Sequence, residues 1–160
     1  MAANKKRAFD GLYAQLEEVN NHVVLFAAKG EPSVIFEMTN PVQQLCTDAE
    51  QYLRFQDVLS NIVQTLGEGY ALQKQDVFCK QSYHHEVPED AEFLTRSYFR
   101  YFEGREFTEI RTFLILTQEA QRSQFVQYDP KKWLDFHAKV NKVSDILNEK
   151  HIRHRMLSKE

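Results

Sequence analysis

The stretch Phe107-Thr108-Glu109-Ile110-Arg111-Thr112-Phe113-Leu114-Ile115-Leu116-Thr117 decides the fold class. It is rich in β-branched and aromatic residues, which suit a pleated strand. Its centre, Phe113 to Leu116, is apolar at consecutive positions, so both faces of the strand should meet apolar surroundings. The run predicts a central strand with helices packed on it.

Upstream, Pro88 is read as opening a helix that Gly104 ends, because proline at the first helical position loses no hydrogen bond. Glu89, Asp90 and Glu92 fall in its first turn, at the positive end of the dipole. Ala91, Leu94, Tyr98 and Tyr101 or Phe102 form its expected buried face. Before it lies a strand over residues 70–83, carrying Lys74 and Asp76 on one face, followed by the loop His84-His85-Glu86-Val87. Further upstream, Thr47-Asp48-Ala49-Glu50 has the form of a capping box. Tyr52, Phe55, Leu59, Ile62 and Leu66 then recur at helical spacing, and Gly67 follows at the expected left-handed stop.

Residues 22–28 and 33–39 are two Val/Ile/Phe-rich runs separated by Lys29-Gly30-Glu31-Pro32, which predicts a β-hairpin ended by Asn40-Pro41. Phe9, Leu12, Leu16 and Val19 share a helical period, so residues 1–20 are read as a helical arm. Downstream, residues 118–128 are polar and irregular. Asp129-Pro130 supplies an N-cap and a first helical residue. Trp133, Phe136, Val140, Val143 and Leu147 continue as a long apolar stripe. No glycine or proline stops this helix before Glu160, which argues for a piece of a longer protein. The predicted order is β-β-α-β-α-β-α: an α+β fold with a sheet of about four strands, an arm at residues 1–20, a core at 21–128 and a C-terminal helix at 129–160.

Composition narrows the function classes. The 160 residues are 42% hydrophobic and 27% charged, as in one globular domain. The formal net charge of −3 argues against a dedicated nucleic-acid binder. The apolar runs at residues 23–28 and 113–116 are far short of the ~20 residues that span a bilayer. Lys5, Lys6 and Arg7 lead into Asp10 and not into a signal-type apolar core. The two cysteines, Cys46 and Cys79, fit a reducing cytoplasm better than a disulfide framework.

The chain carries no phosphate loop, since none of its five glycines precedes a lysine. Gly67 and Gly69 follow a helix and precede a strand, the reverse of a dinucleotide fingerprint. His151 and His154 would share one face of the last helix, yet zinc wants three or four ligands. His22 and His137 read as structural. Cys46 precedes a helix start, where a thiol pKa can fall. A stand-alone enzyme or nucleotide-binding module built on His84, His85 or Cys46 is therefore the alternative function.

The remaining unusual block is Phe93-Leu94-Thr95-Arg96-Ser97-Tyr98-Phe99-Arg100-Tyr101-Phe102. Four aromatics within five residues cannot all face one core, so some are surface anchors. Arg96, Tyr98, Phe99, Arg100, Tyr101 and Phe102 are the candidate partner-contact residues. The arginines and rings would also suit stacked single-stranded DNA, which the acidic balance disfavours.

Together with Val23–Phe26, Pro32–Phe36, Leu72-Gln73-Lys74-Gln75-Asp76 and Phe113–Thr117, this block resembles the N-terminal segment of TraG-type conjugation ATPases encoded on Bacteroides-type conjugative transposons. Those are relatives of the type IV secretion ATPases. The resemblance implies a non-catalytic docking and assembly domain of a DNA-transfer ATPase, cytoplasmic and peripheral to the inner membrane. Its implied partners are inner-membrane components of the conjugation machinery and further copies of itself. ATP and magnesium would belong to the full-length parent, so no cofactor, metal or catalytic residue is expected within this chain.

Overall fold

The computed structural model describes residues 13–40, 48–88, 90–119 and 129–159. In chain order it forms β1 (Tyr13–Val19), β2 (His22–Ala27), β3 (Pro32–Met38), α1 (Ala49–Leu66), β4 (Tyr70–Ser82), α2 (Phe93–Phe102), β5 (Glu106–Gln118), α3 (Pro130–Glu149) and β6 (His154–Met156). The strands make one open antiparallel sheet in the order β1-β2-β3-β5-β4, with β6 also paired to β3. The α+β class holds, with six strands in place of about four. Residues 1–75 and 112–160 form one compact unit, and residues 76–111 a second.

The larger unit has a continuous core. Val24, Val34, Phe36, Met38, Leu114 and Leu116 point from one sheet face onto Phe55, Val58, Ile62 and Leu66 of α1 and Phe136, Val140, Val143 and Leu147 of α3. Alternation along the strands explains the selection, since residues two apart share a face. Ile35 pairs with Ile115 and Glu37 with Phe113 on the opposite face, where all four are only half-buried. The expectation that both faces of the central strand lie under helices is thus corrected: α1 and α3 line the core of one face.

The helical reading of the N-terminal arm is overturned from Tyr13 onward. Residues 13–19 are a strand because Asn20 and Asn21 both take positive φ, 49° and 64°, and close a two-residue hairpin onto β2. Asparagine tolerates that region, and two such residues match the twist of antiparallel strands. The second hairpin is as expected, with Gly30 at φ 80°. Residues 1–12, Pro41, Cys46 and Thr47 lie outside the described residues. The cap of α1 is Asp48, whose carboxylate accepts from the Glu50 amide at 2.9 Å. Gly67, at φ 71°, ends α1 as its position demands.

The largest correction concerns the C-terminal helix. Asp129 caps α3 and accepts from the Lys131 amide at 3.0 Å, with Pro130 first in the helix. The helix stops at Glu149 and does not run to residue 160. His151 takes φ 55°, its amide donates to the Asn148 carbonyl, and the Ile152 amide donates to the Leu147 carbonyl. This is the paired-bond helix stop in which glycine usually holds the left-handed position. Ile152 then packs into the core beside Leu147. An unfinished helix therefore no longer argues for a longer chain, and His151 and His154 do not share a helical face.

Past this turn, β6 completes the sheet. β2 pairs only with the first half of β3, through Val24–Val34 and Leu25–Ser33. β6 takes the second half of the same edge, through Phe36–Met156 and Met38–His154. Leu157 stitches the fork: its carbonyl accepts from the Val23 amide and its amide donates to the Ile35 carbonyl. Arg155 closes on Glu37 at 2.6 Å, and His154 Nε2 lies 2.9 Å from Ser144 Oγ on α3.

Candidate functional site

The six candidate contact residues all lie on α2, in the unit of residues 76–111. Its helix begins five residues after Pro88, so the expected start is corrected. Asp90 and Glu92 precede the helix, Glu92 being its N-cap without a side-chain bond, and Glu89 lies outside the described residues. Pro88 instead makes a turn, its carbonyl accepting from the Ala91 amide at 3.1 Å. Arg96 Nε donates to the Ala91 carbonyl at 2.8 Å and ties the helix to that turn.

The expected buried face of this helix is also corrected, because α2 has no buried residue. Phe99 and Phe102 are half-buried against Tyr83, with ring centroids 6.5 and 6.1 Å away. His85 stacks on Phe99 at 4.7 Å, and His84 Nδ1 lies 2.7 Å from the Glu103 carboxylate. The other side of the helix faces outward. Phe93 is 80% exposed, Leu94 76%, Tyr98 58% and Tyr101 59%. The Arg105 guanidinium sits 3.6 Å from the Tyr101 ring centre, a cation–π contact that fixes the ring in its exposed position. Arg100 is exposed beside it.

Sequence reasoning found this helix but missed how far the apolar surface extends. Phe78 on β4, Val87 in the loop and Phe107 on β5 are exposed as well. No hydrophobic residue between 76 and 111 is buried among those described. Alternation along β4 gives the face on which Phe78 stands and not what covers it.

Among the described residues the other sequence candidates converge on no metal centre. His84 and His85 are exposed, Cys79 is a half-buried free thiol on β4, and Cys46 lies outside the described residues. Among the described residues no three His, Cys, Asp or Glu side chains converge as a metal would require. His22 and His137 do meet, with ring centroids 5.9 Å apart, and His137 also abuts Trp133 at 4.4 Å. Neither Nε2 has a hydrogen-bond partner among the described residues.

Burial first, and then the charge of His22, hold the His137 pKa below its usual 6.5. The unfolded chain therefore binds a proton that the folded chain resists. Stability should be fully present above pH 6.5 and decline as the pH falls below it, toward the depressed folded value. The urea midpoint is expected to fall between about pH 7.5 and about pH 5.5, and His137→Gln should flatten that dependence. An unchanged slope in the variant would place the effect on other groups.

Elsewhere in the larger unit, Tyr70 donates to Asp135 at 2.8 Å and accepts from Gln118 at 3.0 Å. Burial, then Asp135, push its phenol well above the usual range, so it serves as a fixed donor joining β4 to α3.

No protein-family model matches the chain, and no curated protein matches it significantly. No helix among the described residues is long and apolar enough to cross a membrane.

Proposed function

We propose that this chain is a protein-docking module whose contact surface is the outward side of α2, formed by Phe93, Leu94, Tyr98 and Tyr101 with Arg100 at its edge. The observation that carries the reading is the unit of residues 76–111, which buries none of its hydrophobic side chains yet exposes seven large ones: Phe78, Val87, Phe93, Leu94, Tyr98, Tyr101 and Phe107. Leaving so much apolar and aromatic surface in water is costly unless a partner covers it. Rigid aromatics flanked by arginine are also the side chains that dominate binding energy at interfaces.

The resemblance to TraG-type ATPases narrows the proposal. It makes this a non-catalytic docking and assembly domain of a conjugative-transfer ATPase, working at the cytoplasmic side of the inner membrane. The partner is then an inner-membrane component of the transfer machinery. ATP hydrolysis belongs to the parent protein and not to these residues.

Replacing Tyr98 and Tyr101 together with glutamate should abolish capture of that component from detergent-solubilised inner membranes of cells carrying the machinery. Membranes from cells lacking it provide the background. Each anchor is expected to contribute about 2 kcal/mol or more. Unchanged capture by a folded double variant would sink the docking role of α2. Calorimetry with ATP and magnesium should give no binding heat, and a measurable heat would favour the small nucleotide-binding module instead.

A further inference from the structure

The outward side of α2 is laid out symmetrically about Ser97. Phe93, Ser97 and Tyr101 stand at i, i+4 and i+8, so they form one row along the helix. All three are exposed, with the small serine at the centre and a large ring at each end. Leu94 and Tyr98 form a second exposed row beside it. A row of large, small and large side chains fits an inverted copy of itself, because each ring then packs beside the opposite ring of the other copy across the serine gap.

Charge is spread unevenly along the same helix and its N-terminal turn. Three of the charged groups are already engaged: Arg96 Nε on the Ala91 carbonyl, Glu103 on His84, and the Arg105 guanidinium on the Tyr101 ring. Asp90 and Glu92 at the start and Arg100 near the end are exposed and hold no ion pair among the described residues. The start is thus left with two unpaired carboxylates and the end with an unpaired guanidinium.

We propose that α2 of a second copy covers this side when the membrane component is absent, the two helices running antiparallel about a two-fold axis at Ser97. Phe93 of each copy then lies beside Tyr101 of the other, and the two serines face each other where the helices come closest. Arg100 of each copy reaches the start of the other helix, beside Asp90 and Glu92. A parallel pair would set Arg100 against Arg100 and Glu92 against Glu92, so charge selects the antiparallel one. The pairing rests on the reading of this side of α2 as a contact surface and names its occupant. The second copy and the membrane component then exclude each other.

Sedimentation of the full chain over a range of concentrations tests it. The wild type should dimerise, and Ser97→Arg, which puts two guanidiniums at the axis, should be monomeric with an unchanged circular dichroism spectrum. Glu92→Arg alone and Arg100→Glu alone should each weaken the dimer by roughly tenfold or more, and the double exchange should restore it. These positions lie about 12 Å apart along one helix, so a rescue reports contact between copies. In a Cys46→Ala, Cys79→Ala background, Ser97→Cys should form a disulfide-linked dimer under mild oxidation. Thr95→Cys, also exposed but on another side of the helix, should not. A wild type that stays monomeric to about 500 µM, above the usual range of specific association, overturns the proposal. So does a dimer indifferent to Ser97→Arg, or a double exchange that fails to restore pairing. A monomeric wild type that still captures the membrane component overturns the pairing and leaves the docking role standing, and a dimer that captures nothing does the reverse.

Discussion

Deletion of residues 152–160 is expected to unfold the unit built from residues 1–75 and 112–160. The segment is short, but it holds Ile152 in the core at 5% exposure and lays β6 along β3. Its removal strips bonding partners from the Val23 and Thr39 amides and the Ile35 carbonyl, and it opens the edge of β3 beside Phe36 and Met38. Loss of the isoleucine side chain costs about 2–5 kcal/mol, and these three backbone bonds at about 1 kcal/mol each bring the total to roughly 5–8 kcal/mol. That is comparable with the whole stability of a typical domain, about 5–15 kcal/mol. Thermal and urea unfolding followed by circular dichroism should lose their cooperative transition. Ile152→Ala alone should keep the transition and shift it by the side-chain share. A deletion variant that melts cooperatively within a few degrees of the full chain would show that β6 is an ornament of the sheet.

Phe136→Ala is expected to destabilise the same unit by about 3–5 kcal/mol. Phe136 is fully buried in the middle of α3, in one core with Phe36, Leu114 and Val140, and its ring stacks near Trp133 at 6.0 Å. Truncation removes a large apolar surface and leaves a cavity whose walls belong to a sheet and a helix, neither of which can collapse freely. Leu134, two residues earlier and 69% exposed, is the internal control. Leu134→Ala should change stability by no more than about 0.5 kcal/mol. Urea midpoints measured at one pH give the comparison, and similar losses in both variants would contradict the burial of Phe136 in this core.

The contrast between Phe136 and Leu134 shows what was legible. The helical period picked out Phe136, Val140, Val143 and Leu147 from sequence, and all four are buried. Asp129-Pro130 marked the helix start to the residue because the cap is a local bond between neighbours. The stop was illegible for the opposite reason. The left-handed residue is His151, and a histidine there is held by the docking of Ile152 and β6, which lie beyond the helix. Asn20-Asn21 was a readable hairpin signal that the helical spacing of Leu16 and Val19 overrode. α2 failed differently: its amphipathic pattern is real, but the face expected to be buried holds Leu94, Tyr98 and Tyr101 in the open.

The sequence by itself determined the α+β class, the extents of β2 to β5 within a residue or two, the start of α3 and the aromatic block on α2. Each rests on bonds or periodicities that act over a few residues. Only the tertiary structure decided that β6 fills the fork on β3, that α1 and α3 share one sheet face, and that residues 76–111 bury no hydrophobic side chain. Those outcomes depend on which distant segments meet. Pairing between Phe36 and Met156, 120 positions apart, is set by the burial of whole elements, and no local spacing encodes it.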